Sequence, residues 1–250
     1  VANDPLSQFQ IKPIVEMFSV GGMDFSFTNS SLFMVAAAGT VTAILYAASR
    51  SAQLVPNRIQ SIGELWYEFI ANMVRQTMGN DGMKFFPFVF TVFSFVLMCN
   101  LLGMFPYFFT VTSHVIITAA LAVFIIAMVV VVGLVKHGLG FFKLFAPSGV
   151  PMVILPFITL IEVISFLSRP ISLSLRLFGN MMAGHIVLKV FTGFVVSLGA
   201  LGVGGIIGAL FPLAMGVALT GFEFLIAFLQ AFVFAILTCV YLNDALHPSH

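Results

Sequence analysis

Ser172-Leu173-Ser174-Leu175-Arg176-Leu177-Phe178-Gly179-Asn180 is the stretch on which the reading of this chain turns. It sits in a segment apolar enough for a membrane helix, yet it carries an arginine. On insertion scales a central arginine costs about 2.5–3.5 kcal/mol. A charge so placed persists with a task and a partner, and the residues around Arg176 offer candidates for both.

The composition sets the class. Of 250 residues, 60% are hydrophobic and 8% charged, against about 25% charged in a soluble domain. Between Phe85 and Val135 there is no Lys, Arg, Asp or Glu. At about 20 apolar residues per crossing, that run holds two spans. The apolar runs are continuous rather than alternating, which excludes a transmembrane β-barrel. The expected fold is therefore an all-α polytopic membrane protein. A net charge of +1 implies no nucleic-acid surface. Cys99 and Cys239 lie in apolar runs without a CxxC motif and are expected to be buried free thiols. Val1-Ala2-Asn3-Asp4 does not read as a signal peptide, lacking a basic region followed by an apolar core.

In order, the chain predicts a single membrane domain. Residues 1–28, with Pro5, Pro13 and Gly21-Gly22, read as a surface arm with at most short helices. Residues 29–50 form a first span. Residues 57–79 form an amphipathic helix, with Ile59, Ile62, Leu65, Trp66, Phe69, Ile70, Met73 and Val74 at helical spacing. It lies at the membrane surface, against headgroups or against other protein. Gly79-Asn80-Asp81-Gly82 is a turn. Residues 83–105 and 113–137 make a hairpin across a short loop at Pro106, and a Gly/Pro-bearing loop then ends near Pro151. His114 and His137, at the ends of the third span, are expected to be interfacial.

Residues 152–198 and 204–246 are both too long for ordinary spans. An unbroken helix over the first would be about 70 Å long, against a hydrocarbon core of about 30 Å. It must break, with Pro170 as the natural kink, or lie steeply inclined. Lys and Arg in the short loops set the orientation. Arg50, Arg58, Arg75 and Lys84, then Lys136 and Lys143, mark the cytoplasmic side. Five crossings and one surface helix then put the N-terminus outside and the C-terminus inside.

The last two elements hold the intramembrane polar residues: Glu162, Arg169, Arg176, Asn180, His185, Lys189, Glu223 and Gln230. At 100° per residue, Glu162, Arg169, Ser172, Arg176 and Asn180 form a stripe on one helix face. His185 faces roughly the opposite side. Glu223 and Gln230 share a face of the next helix. A bland account makes these helix-locking pairs, but such contacts are worth only about 0.6 kcal/mol on average in membranes. Glu, His and Glu in one hairpin read instead as stations for a moving proton or ion. Haem binding would want His pairs on facing helices, and His185 is the one central histidine. A secondary transporter would show two repeated halves, and no second copy of the Ser172–Asn180 stretch is present. A purely structural anchor is the remaining alternative. Arg169 reads as near a channel mouth, Lys189 as snorkelling or interfacial, and Asp244, His247 and His250 as cytoplasmic surface. No phosphate loop, and no cofactor or metal motif, is found.

Arg169-Pro170-Ile171-Ser172-Leu173-Ser174-Leu175-Arg176-Leu177-Phe178-Gly179-Asn180-Met181-Met182-Ala183-Gly184-His185 closely resembles the signature of subunit a of the F-type ATP synthase, in its alphaproteobacterial and mitochondrial-like form. The resemblance extends over the whole chain. Many bacterial members carry Glu where His185 stands and His where Glu223 stands; here the two are exchanged. The resemblance implies a stator in the bacterial inner membrane, against which a ring of c subunits turns, with peripheral-stalk b-type subunits, lipid and, indirectly, F1 as partners. It implies two aqueous half-channels that load and unload the ring carboxylates with protons. Asn180, His185, Glu223 and Gln230 would line the outer one. Glu162, with Ser172, would lie on the inner one, and Arg176 would be the electrostatic barrier between them. A cation about 4 Å from a carboxylate at an effective dielectric of about 20 gains about 4 kcal/mol, roughly a thousandfold in proton affinity. The resemblance implies no catalysis by the chain itself. A stand-alone ion transporter is the alternative.

Overall fold

A computed structural model describes residues 10–20, 23–50, 53, 55–105, 108–145 and 154–247. The Gly21-Gly22 pair, the loop at Pro106, the end of the Gly/Pro loop near Pro151 and the tail residue His250 lie outside the described residues. Two strands, β1 (Pro13–Val20) and β2 (Met23–Thr28), are followed by α1 (Asn29–Ser49), α2 (Arg58–Met78), α3 (Phe86–Gly103), α4 (Val115–His137), α5 (Leu155–Gly199) and α6 (Val203–Leu246). Short 3-10 helices cover Asn80–Phe85, Val111–Ser113 and Gly138–Phe145. Five of the helical segments are long and apolar enough to cross a membrane, so the expected all-α polytopic class holds.

The strands correct the expectation of at most short helices in the N-terminal arm. β1 and β2 pair antiparallel, with Glu16 opposite Ser26 and Val20 opposite Met23. Met23, Phe25 and Phe27 alternate with Asp24, Ser26 and Thr28, the period of a strand. The hairpin is fastened to the helix that follows it. The Asn29 amide oxygen accepts from the Lys12 N–H at 3.1 Å, and its amide nitrogen donates to the Gln10 carbonyl at 3.1 Å. Thr28 Oγ1 accepts from the Ser31 N–H at 3.3 Å, capping the first turn of α1.

Neither long helix breaks. α5 has 45 residues and runs through Pro170; α6 has 44 and runs through Pro212. At about 1.5 Å per residue each is about 66 Å long. A proline removes one backbone donor and crowds the preceding turn. In a helix this long, that leaves the flanking turns intact.

The chain forms two compact units. One comprises Val1–Thr42, Phe95–His114 and Leu177–Ala231. Its core includes Val96, Cys99, Val111, Leu177, Met181 and Ala227. Phe33 of α1 packs on Phe108 and Phe109 at ring-centroid distances of 5.3 and 6.4 Å. The other comprises Ala43–Ser94, Val115–Arg176 and Phe232–His250. There α2 begins at an Asn57 cap, whose side-chain oxygen accepts from the Gln60 N–H at 2.8 Å. Its Trp66 packs on Phe90 and Phe93, and its Phe69 on Phe93 and Phe232. Ile70, Met73 and Val74 are buried, whereas Ile59, Ile62 and Leu65 face outward. One end of the apolar stripe is thus covered by protein and the other is open. α4 is apolar all round and buries a single stripe, Thr118, Ala122, Ile125, Val129 and Gly133. Its outward Ile116, Val123, Phe124 and Val131 are the surface expected of a helix solvated by lipid.

Candidate functional site

In the unit holding the second part of α5, the polar residues of α5 and α6 meet in pairs. Asn180 donates from Nδ2 to Gln230 Oε1 at 3.0 Å. His185 Nε2 lies 3.7 Å from Glu223 Oε1. Glu223 and Gln230 are each only 3% exposed. Among the described residues, neither Glu223 carboxylate oxygen and not the Gln230 Nε2 has a hydrogen-bond partner. An isolated buried carboxylate is costly unless it is protonated or compensated by a cation. For Glu223 beside His185, acid with neutral ring and carboxylate with imidazolium are the two forms that leave no uncompensated charge, and they differ by the position of one proton. Gly184 makes the room: a Cβ there would lie 2.6 Å from Glu223 Oε1.

Three further polar residues of the same unit make buried or part-buried hydrogen bonds and were not singled out in the sequence. Thr110 Oγ1 lies 3.1 Å from His185 Nε2. Asn100 is fully buried; it donates to the Ala227 carbonyl at 3.2 Å and accepts from Thr112 Oγ1 at 2.8 Å. Asn100 stands in a charge-free apolar run, and that contrast was the available signal. Thr110 and Thr112, in the connection between α3 and α4, carried none. His114 stacks on Phe109 at 5.0 Å.

In the other unit the two arginines of α5 differ. Arg169 pairs with Asp244 of α6 at 3.1 Å, and its guanidinium lies over the rings of Tyr241 at 4.9 Å and Phe166 at 5.5 Å. Asp244, expected as surface, is thus also the ion-pair partner of Arg169. Arg176, two turns further on, is exposed and forms no hydrogen bond or ion pair among the described residues. Exposed beside it are the apolar Ile171 and Leu175, at 59% and 49%, and the neutral Ser172 one turn before it, so the guanidinium stands on an outer face with no anion beside it among the described residues. Ser172 is exposed and Glu162 partly buried; neither is brought to a partner among the described residues. Lys189 is partly buried, one turn beyond His185.

His137 and Lys136, at the end of α4, both contact the Leu246 carbonyl, at 2.9 and 3.2 Å. They cap the C-terminus of α6, where a positive charge is favourable. His137 is therefore a cap as well as a helix-end residue. Cys99 and Cys239 are buried free thiols. Among the described residues no cluster of His, Cys, Asp and Glu is suited to a metal.

A family model described as ATP synthase A chain matches residues 31–243. An ATP synthase subunit a from Chelativorans sp. is 64% identical over 250 residues, covering all of both chains. Proteins of the same name from Allorhizobium ampelinum and Agrobacterium fabrum are 62% and 61% identical, over 99% and 100% of each chain. Such a subunit works with the other subunits of the synthase and is not catalytic alone. With its five apolar helices and this full-length similarity, the chain belongs to the ATP synthase A chain family, a family of multi-pass membrane subunits that serve proton translocation.

Proposed function

We propose that the chain, as one membrane domain, is the stator of a rotary proton path. Two half-channels reach a ring of carboxylate-bearing c subunits from opposite sides, and Arg176 separates them. The observation that carries the reading is the contrast between the arginines. Arg169 is neutralised within the chain by Asp244. Arg176 is exposed and has no anion beside it among the described residues. A membrane arginine left so is compensated by an anion on another molecule, and a ring carboxylate is that anion. Because the guanidinium keeps its proton, Arg176 attracts the deprotonated ring carboxylate without relaying a proton itself.

Asn180, His185, Glu223 and Gln230 line the outer half-channel. The Asn180–Gln230 hydrogen bond, the closeness of His185 to Glu223, and the buried Glu223 oxygens and Gln230 Nε2 left without a hydrogen bond among the described residues support this assignment. Glu162 and Ser172 line the inner half-channel. The Lys and Arg distribution supports an outside N-terminus and a cytoplasmic C-terminus. Peripheral-stalk b-type subunits and lipid cover the remaining apolar faces.

The test is ATP-driven proton pumping in sealed vesicles, with assembly checked by subunit content. Glu223→Gln leaves the ring and stalk bound and lowers pumping at least about tenfold, the effect of 1.4 kcal/mol on a rate. Normal pumping with Glu223→Gln overturns its place in the path. Purification of the chain without ring or stalk overturns the stator reading and favours a stand-alone transporter.

A further inference from the structure

The hydrogen-bond geometry around Thr110 assigns a role to a residue outside the proposed proton path. The Thr110 hydroxyl contacts two groups, the Gly103 carbonyl at 3.1 Å and His185 Nε2 at 3.1 Å. A hydroxyl has one hydrogen to give and lone pairs to accept with. The carbonyl can only accept. Both contacts are satisfied together when Nε2 carries a hydrogen and donates it to Thr110 while Thr110 donates to Gly103. When Nε2 is bare, rotation about the C–O bond turns the same hydrogen toward the ring.

We propose that Thr110 is a positioning residue for His185. Its hydroxyl serves as a two-way partner that holds Nε2 toward Glu223 whether or not that nitrogen is protonated. The inference rests on His185 being a station in the proton path. The step it supports moves the Nε2 proton from His185 to Glu223 Oε1, 3.7 Å away, and the Thr110 hydrogen then turns from the Gly103 carbonyl to the bare Nε2; the reverse transfer reverses both. A fixed donor or acceptor at this place would favour one state of the ring; a rotating hydroxyl accommodates both. The site is built for the threonine. Gly103 has no Cβ, and one added there would lie 2.7 Å from Thr110 Cγ2. Thr110 is 3% exposed, so water does not readily replace its hydroxyl. The charged groups near the ring are Glu223 of α6 and Lys189 of α5.

The experiment uses the whole synthase in sealed vesicles, with subunit content measured. Thr110→Val keeps the shape and removes the hydroxyl; Thr110→Ala removes it without crowding; Thr110→Ser retains it. Val and Ala are expected to lower pumping about fivefold to tenfold, the loss of one hydrogen bond's worth, and Ser to restore it to within about twofold. In a His185→Ala background, Thr110→Val is expected to add no further loss. The proposal is overturned if Val and Ala pump normally, or if Thr110→Val is equally damaging with and without His185. It is also overturned if Val and Ala fail to assemble while Ser assembles, which makes the hydroxyl structural. Normal pumping by His185→Ala alone overturns the proton-path reading instead.

Discussion

Removing either side of the Arg169–Asp244 contact should destabilise the end of the α5–α6 pair, and exchanging the two charges should repair it. The oxygen–nitrogen distance is 3.1 Å, and the side chains are 19% and 27% exposed. At an effective dielectric of about 20 the gross attraction is about 5 kcal/mol. Partial burial returns much of this as desolvation, leaving about 1.5–3 kcal/mol for a hydrogen bond between charged groups. The Tyr241 ring under the guanidinium, at 4.9 Å, adds about 0.5–1 kcal/mol. The relevant assay is the heat-inactivation rate of pumping by the assembled complex, because unfolding of so large an assembly is not two-state. Arg169→Ala and Asp244→Ala should each shorten the inactivation half-life by about tenfold to a hundredfold. The double substitution should cost clearly less than the product of the two. Arg169→Asp with Asp244→Arg should recover part of the loss. A double substitution whose effect equals that product within about twofold, the limit for non-interacting sites, with no recovery on exchange, refutes the reasoning.

Two further outcomes follow from close contacts. Gly184→Ala places a Cβ where Glu223 Oε1 now lies; the carboxylate end can swing away, so assembly should be normal while pumping falls several-fold. A pumping rate equal to the parent's would show that the carboxylate position is not critical. Lys136→Ala with His137→Ala removes both contacts to the Leu246 carbonyl, at a cost of about 0.5–2 kcal/mol. Amide hydrogen exchange over residues 242–247 should speed up about twofold to thirtyfold, with exchange around residue 223 unchanged.

The helices were legible because their signal is local. A continuous apolar run reports a span without reference to any partner, and the lengths of α5 and α6 followed from the same reasoning. Pro170 was the ambiguous letter: its effect depends on what the flanking turns can bear, and here they stay helical. The β1–β2 hairpin was readable in principle. Alternation over Met23–Thr28 and a Gly-Gly pair between two runs is a hairpin signal, obscured by the prolines and polar residues around it. The Asp244 partnership was not readable. Periodicity places a residue on a helix face, but it does not say which side chain 75 positions away will meet it. Only tertiary structure shows that Arg169 is paired and Arg176 exposed. Thr110 was hidden for a related reason: its importance comes wholly from its neighbours, the Gly103 carbonyl and the His185 ring.

The barrier role of Arg176 is tested by Arg176→Ala in the assembled complex, with passive proton leak measured through vesicles stripped of F1 and coupled pumping measured before stripping. Subunit content is expected to stay normal while pumping is lost and the leak increases, because nothing then drives the proton from a ring carboxylate between the two half-channels. Coupled pumping and leak both at the parent's level would contradict that role.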